Sequence, residues 1–391
     1  MSDPLHVLVA GGGVVGLETL LALRDLAGER VRCTLLTPEP EFVYRPMAVA
    51  EPFARGQAKR HSLEEIARDL GADFAPDRLT GVDAPAQEAI TADGRRPFDA
   101  LVIGIGADDE PALPRVLTWT PESDAEVYGG LLRDLDEGYT KRVAFVVPVG
   151  VAWPLPAYEL ALMTSWQTRA MGQDDVQITV YTHEDAPLGI FGAAASEALF
   201  KDLERAGVEV RTQSLVTATD GGLTIEPAGA PLEAQRVVAL PRAVGKWLPG
   251  VPNDDRGFVL CDSHGQVQGT NAVWAAGDAI AFPVKQGGLA AQQADAAAEA
   301  IAARAGVDLE PKPFRPVLRG MLLTGRGQAW MRGPDDIGEG AAARHALFWP
   351  PTKIAGRYLS PYLAALDDAE ALGETPEPSG EPVDLDLDRE G

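Results

Sequence analysis

Residues 5–26, LHVLVAGGGVVGLETLLALRDL, constrain this chain more than any other stretch. The apolar run 5–10 reads as a buried parallel strand, and it stops at Gly11-Gly12-Gly13. From Val14 and Val15 onward, Leu17, Leu20, Leu21 and Leu26 recur at helical spacing. Gly11, Gly13 and Gly16 thus stand in strand–turn–helix context with G-x-G-x-x-G spacing, which brings backbone close to a pyrophosphate. The first glycine permits the tight turn, the second clears room for phosphate, and the third lets helix pack on strand. Free N–H groups at the start of the helix, with its positive dipole end, then face the anion.

The rest of the chain supplies matching pieces. Residues 31–37 read as the second strand, with Cys33 a core residue. The position of the ribose-binding group, about 20 residues past the glycines, falls on Thr37-Pro38, with Glu39 next. Either the Thr37 hydroxyl or the Glu39 carboxylate can serve; a plain Thr-Pro-Glu-Pro turn is the alternative. Phe42 to Met47 contains Arg45 and Pro46, suited to a segment folded over a flat ligand, since Arg approaches phosphate or stacks on a ring. Residues 61–70 predict a short helix capped by Ser62 with Glu65 three residues on. Residues 98–107 predict a second buried strand, ending in Gly104, Gly106 and Ala107, small enough for backbone to lie against a ligand.

A second unit begins near Lys141. Strand 143–147 and a helix over 158–169 flank Pro148-Val149-Gly150-Val151-Ala152-Trp153-Pro154-Leu155-Pro156. Three prolines and a tryptophan stand where a second glycine turn belongs, removing donors and filling space. The architecture repeats, while the means of holding a nicotinamide dinucleotide does not. Further strands are expected at 177–181, 208–210 and 236–240, and a helix at 194–206. Residues 271–278 predict a strand ending in Gly277-Asp278, a carboxylate at a sheet's carboxyl edge. Lys285, Gln286 and Gly287 open an alanine-rich helix over 289–303. Strands at 318–330 and 346–348 and a last helix at 354–366 complete the expectation.

Composition excludes several functions. The net charge of −24 argues against nucleic acid, whose phosphates need clustered Lys and Arg, and against strong attachment to an anionic membrane. Two cysteines, Cys33 and Cys261, provide neither a disulfide framework, a C-x-x-C pair nor a cysteine-rich metal site, and no metal is expected. No basic, cleavable leader and no run of about 18 apolar residues is present, so a cytoplasmic protein is expected.

Gly11-x-Gly13-x-x-Gly16, Gly104-Ile-Gly106-Ala107 and Ala276-Gly277-Asp278 together resemble the FAD-dependent pyridine nucleotide-disulfide oxidoreductase superfamily. The Pro-rich turn and Ala186 to Gly192 are similar to its sulfide:quinone oxidoreductase, flavocytochrome c sulfide dehydrogenase and type II NADH dehydrogenase branch. The resemblance covers residues 5–365 and implies an α/β fold of two Rossmann-like (three-layer ββα) dinucleotide-binding domains plus a small C-terminal cap. The FAD-binding domain would comprise 1–110 and 240–310, and the second, NAD-type domain 111–239. The cap would comprise 311–366, and 367–391 an acidic, disordered tail.

By the same resemblance FAD lies on Gly11, Gly12, Gly13, Val14, Val15 and Gly16, with Thr37, Pro38 or Glu39 at the ribose. Arg45, Pro46, Gly104, Gly106 and Ala107 border it, and Gly277 and Asp278 meet the ribityl or pyrophosphate end. Lys285, Gln286 and Gly287 approach the pyrimidine side of the ring. The redox cysteines of the sulfide enzymes are missing: neither 153–166 nor 318–332 contains one, and Ile105 replaces a usual Thr. Glu159 is then a proton donor near the ring or a helix-start charge, Lys353 reaches the ring or an acceptor, and His183 is a solvated loop residue. Trp349, Tyr358 and Tyr362 line a quinone channel or pack the cap.

The resulting expectation is an FAD-dependent oxidoreductase moving electrons from a small-molecule donor to a quinone-like or other small acceptor. Its rivals are a non-catalytic flavin-binding partner protein and an NAD(P)H-dependent reductase with an atypical site. No transmembrane segment is expected, peripheral membrane contact being allowed.

Overall fold

A computed structural model describes residues 3–122, 125–334 and 340–372. Leu5–Ala10, hydrophobic at every position but one, has no face to offer water, and it becomes the middle strand of a five-stranded sheet. The order is Val273–Ala275, Ala100–Ile103, Leu5–Ala10, Val31–Leu36, Asp73–Ala75, and every pairing is parallel. The register places Ala10, Leu36, Ile103 and Ala275 on one level. Gly11, Thr37, Gly104 and Ala276 therefore sit side by side at the carboxyl edge, where open α/β sheets take ligands.

The first helix, Val14–Ala27, crosses one face of this sheet against the helix Gly287–Arg304. Alanine governs that contact: Ala290, Ala294, Ala297 and Ala298 share a core with Leu17, Leu20 and Leu21. On the other face lies the antiparallel meander Leu79–Asp83, Glu88–Thr91, Gly94–Pro97. The layering is the Rossmann-like α/β arrangement expected from the sequence.

A second parallel sheet has the order Leu117–Thr118, Arg236–Ala239, Arg142–Val147, Gln177–Thr182, Val208–Arg211. The chain passes between the two sheets through paired strands, Ala107–Glu110 and Arg242–Gly245. A small antiparallel sheet follows, made of Arg319–Leu323, Gln328–Arg332 and Ala341–Ala343.

Several boundaries differ from the sequence reading. The strand read as 98–107 is Ala100–Ile103, and Ala107 opens the crossing strand instead. The helix expected from Tyr158 starts at Leu155, because Pro156 falls at its first positions, where its missing N–H costs nothing. Residues 346–348 form no strand; Phe348 is buried by its ring meeting Trp330 at 5.2 Å. The last helix is Leu359–Leu372, not 354–366. Its start is fixed by the Glu18 carboxylate, which accepts the N–H groups of Tyr358 and Leu359. The stretch read as a disordered tail from 367 thus begins as helix, with Asp367 ion-paired to Lys59 at 2.7 Å. Residues 373–391 lie outside the described residues. Among the described residues no helix is long and apolar enough to cross a membrane.

Candidate functional site

The carboxyl edge of the first sheet opens into a cavity of about 810 Å³, within the usual range for a bound organic molecule. One end is the glycine turn. Gly11, at φ +120°, hydrogen-bonds through N–H to Leu36 O at 2.8 Å. A β-carbon on Gly11 would lie 2.2 Å from Gly104 O, and one on Gly16 would lie 1.9 Å from Gly11 O. These two glycines are packing requirements. Gly13 differs: nothing lies within 4 Å of where its β-carbon would be. It starts the helix with no side-chain cap, and no acidic residue follows in the first turn. The uncompensated N–H groups of that turn face the cavity, which is what a pyrophosphate requires.

Gly11 to Val15, Thr37, Pro38, Glu39, Arg45, Pro46, Gly104, Gly106, Ala107, Asp278, Lys285, Gln286, Gly287, Glu159 and Lys353 all border this one cavity. Gly16 and Gly277 stand behind its wall; a β-carbon on Gly277 would strike Val15 Cγ2 at 2.5 Å. Thr37 is buried, and its hydroxyl accepts the Glu39 N–H at 3.3 Å. Asp278 is held above the usual carboxylate range by burial, which the Lys285 and Arg45 charges partly offset.

Three side chains are occupied differently from the sequence reading. Lys285 turns its ammonium to Ile280 O and lies 3.9 Å from the centre of the Phe258 ring; burial lowers it to about 8. Gln286 caps the helix Gly287–Arg304, accepting Leu289 N–H at 2.8 Å and donating to Arg319 O at 3.2 Å. Arg45 pairs with Glu122 at 2.9 Å across the mouth.

The far end of the cavity brings together two residues 194 positions apart. Lys353 Nζ meets Glu159 Oε1 at 2.6 Å and Oε2 at 2.7 Å, and Leu323 N–H donates to Oε1 at 2.7 Å. Both side chains are buried. Burial pushes the Glu159 carboxyl up and the Lys353 ammonium down, each resisted by the other's charge. Burial thus works against both charges, and the pair is held by its mutual attraction and the Leu323 N–H.

Sequence reasoning missed other walls. Arg78, Thr80, Lys246 and Trp247 border the Thr37 end, while Trp119, Trp153 and Met321 border the Glu159 end. They come from separate strands and loops, and no local pattern marks them. Lys246 also donates to Ile105 O at 3.0 Å. Asp109, near Glu122 and Asp278, has its carboxyl pushed up to about 6 by desolvation and those charges.

The second sheet's edge is filled by its own Pro-rich turn, whose Val151, Ala152 and Trp153 form part of the cavity wall. That turn spends two donors on itself, Val151 N–H to Pro148 O and Ala157 N–H to Pro154 O. Glu184 accepts from Tyr158 at 2.5 Å and Thr182 at 2.8 Å. His183 Nδ1 lies 3.3 Å from Val147 O. Tyr358 and Tyr362 donate to Asp25 and Asp69 and pack the last helix, and Trp349 is exposed. None of these three borders the cavity. Cys33 and Cys261 are free thiols away from it, pushed by burial to about 12 and about 11.

No family model matches the chain. It is 27% identical over 211 residues to a sulfide-quinone reductase of Aquifex aeolicus (strain VF5), covering 51% of this chain and 48% of that protein. The match thus spans about half the length of that relative. The fold is similar to the sulfide:quinone oxidoreductase structure from Aquifex aeolicus, with TM-score 0.77, 20% identity and 87% of each chain covered. It is also similar to a ferredoxin reductase from Rhodopseudomonas palustris, with TM-score 0.62 and 19% identity, over 85% of this chain and 82% of that one. The resemblance carried by the glycine and Gly-Asp motifs agrees with these findings: part of the chain is similar in sequence to a sulfide-quinone reductase, and the fold is that of a sulfide:quinone oxidoreductase and a ferredoxin reductase.

Proposed function

We propose that the chain is an FAD-dependent oxidoreductase that takes electrons from a small-molecule donor and delivers them to a quinone-like or other small acceptor, without cysteine persulfide or disulfide chemistry. One observation carries this reading. A single cavity joins an uncapped glycine turn at one end to a buried, proton-sharing Glu159–Lys353 pair at the other.

The residues present fit FAD. Backbone N–H groups of the Gly13–Val15 turn bind the pyrophosphate, Thr37 and Glu39 face the adenosine ribose, and Asp278 meets the ribityl chain. Lys285, Gln286 and Gly287 lie along the pyrimidine side, with Pro46 packed near the ring. FAD, when bound, supplies the two-electron acceptor, and the protein positions and tunes it. Glu159 and Lys353 hold a transferable proton at the cavity wall, and aromatic walls from Trp119 and Trp153 favour a flat, apolar partner.

The named relative acts on sulfide and quinone, but the persulfide route needs thiolates. Neither cysteine here borders the cavity, and both are held protonated by burial. The Pro-rich turn at the second edge, with one Glu184 oxygen already taken by Tyr158 and Thr182, weighs against NADH or NADPH as donor.

The test is anaerobic rapid mixing of the purified yellow protein with NADH, NADPH, sulfide and a hydroquinone in turn, followed by a quinone. Reduction by the hydroquinone and reoxidation by the quinone is the expected outcome. Lys353→Met and Glu159→Gln slow that reaction about 100-fold or more with FAD content retained. A colourless protein that refuses FAD overturns the cofactor assignment; bleaching by a nicotinamide within seconds overturns the donor assignment. An FAD-loaded protein inert to every donor and acceptor would be a flavin-binding partner rather than an enzyme.

A further inference from the structure

Glu18 lies in the first helix, fully buried and outside the cavity. Its Oε1 accepts Tyr358 N–H and its Oε2 accepts Leu359 N–H, both at 2.8 Å. These donors belong to the segment that carries Lys353 to the site. Between them, Ile354 N–H is held by Tyr44 OH at 2.9 Å, and Gly356 N–H donates to Ser360 Oγ at 2.8 Å. Gly356 runs so close that a β-carbon there would lie 2.7 Å from Glu18 Oε2.

A second acid approaches Glu18 from the helix Gly287–Arg304. Asp295 lies close enough for the Glu18 charge to act on it, and its Oδ1 is buried with no hydrogen-bond partner. Two carboxyls in contact away from water cannot both be ionised. The two backbone N–H groups favour charge on Glu18, which leaves the proton to Asp295.

The remaining charged or titratable groups facing the pair are Arg357 on the turn, Glu299 on the helix of Asp295, and Asp25 with Tyr358 OH on the first helix. Arg357 is the one cation among them, and its charge favours the ionised forms; Glu299 opposes it.

We propose that Glu18 and Asp295 share one proton and are positioning residues for Lys353: the acid–carboxylate pair seats turn 354–359 and thereby holds Lys353 against Glu159. The proposal rests on the reading of Glu159–Lys353 as the proton-handling pair. The direction of its pH dependence follows from burial and the Glu18 charge, which raise Asp295 well above the ordinary range. A raised acid stabilises fully below its unfolded value, and that stabilisation is lost as pH climbs through the folded one. The turn therefore loosens on the alkaline side.

Hydrogen exchange of the Tyr358 and Leu359 amides in the full-length protein tests this, as protection corrected for the chemical rate. Wild-type protection should be highest at acidic pH, fall by up to about tenfold per pH unit from the ordinary carboxylate range up to the raised Asp295 titration, and level off above it. Asp295→Asn, whose amide donates permanently to Glu18, should hold protection flat. Glu18→Gln should lower it at every pH. A flat wild-type profile, or an Asp295→Asn profile that falls as in wild type, overturns the latch. Should the latch behave as stated while Lys353→Met turns over normally, the latch stands and the functional reading of Lys353 falls.

Discussion

The two parallel sheets present equivalent edges and treat them in opposite ways. At the first, glycines let strand ends and a helix start close to backbone contact, and the chain spends almost nothing on the donors that remain. Gly13 caps without a side chain, and an open cavity lies in front of it. At the second, Pro154 and Pro156 begin the helix, so donors that a phosphate would use are missing or already bonded. The acidic residue after the second strand persists there as Glu184, yet its Oε2 already accepts from Tyr158 and Thr182. The same ββα wiring thus yields a binding edge or a sealed one, depending on whether its polar groups are satisfied internally.

Breaking the open edge should have the largest effect. Gly16→Ala forces a β-carbon to 1.9 Å from Gly11 O. It should cost about 3 kcal/mol or more and release the flavin, as read by the thermal midpoint and by flavin absorbance per protein.

At the sealed edge the outcome should separate stability from cofactor. Tyr158→Phe leaves the buried Glu184 carboxyl short of one donor. It should cost about 1–3 kcal/mol in denaturant unfolding while flavin content stays at the wild-type value. A parallel loss of flavin would mean that the two edges are energetically linked.

The smallest effect belongs to the mouth of the open edge. Asp109, raised to about 6, is neutral below that pH and charged above it. KM for an anionic substrate should rise a few-fold as pH passes through this value, and Asp109→Asn should flatten the profile.

Much of the open edge was legible because it is local. The glycine spacing, the Gly277-Asp278 strand end and the Ser62 cap each lie within a few residues, and each takes the local structure its spacing implies. Glu159 was also visible, as a proton donor near the ring or a helix-start charge. Its partner Lys353 lies too far along the chain for periodicity to pair them. The start of the last helix was misjudged for a related reason. Ile354, Tyr358 and Tyr362 repeat at helical spacing, yet the carboxylate that fixes the first turn belongs to Glu18 at the other end of the chain. Trp247 and Arg78 escaped notice because their loops meet only once both sheets have formed.

The pairing of Glu159 with Lys353 also sets an order of assembly. During synthesis every glycine of the anion turn, and later Asp278, emerges well before the amine that neutralises Glu159. Until turn 354–359 docks on Glu18, Glu159 has no cation opposite it, so the far wall of the cavity is the last part of the site to be completed.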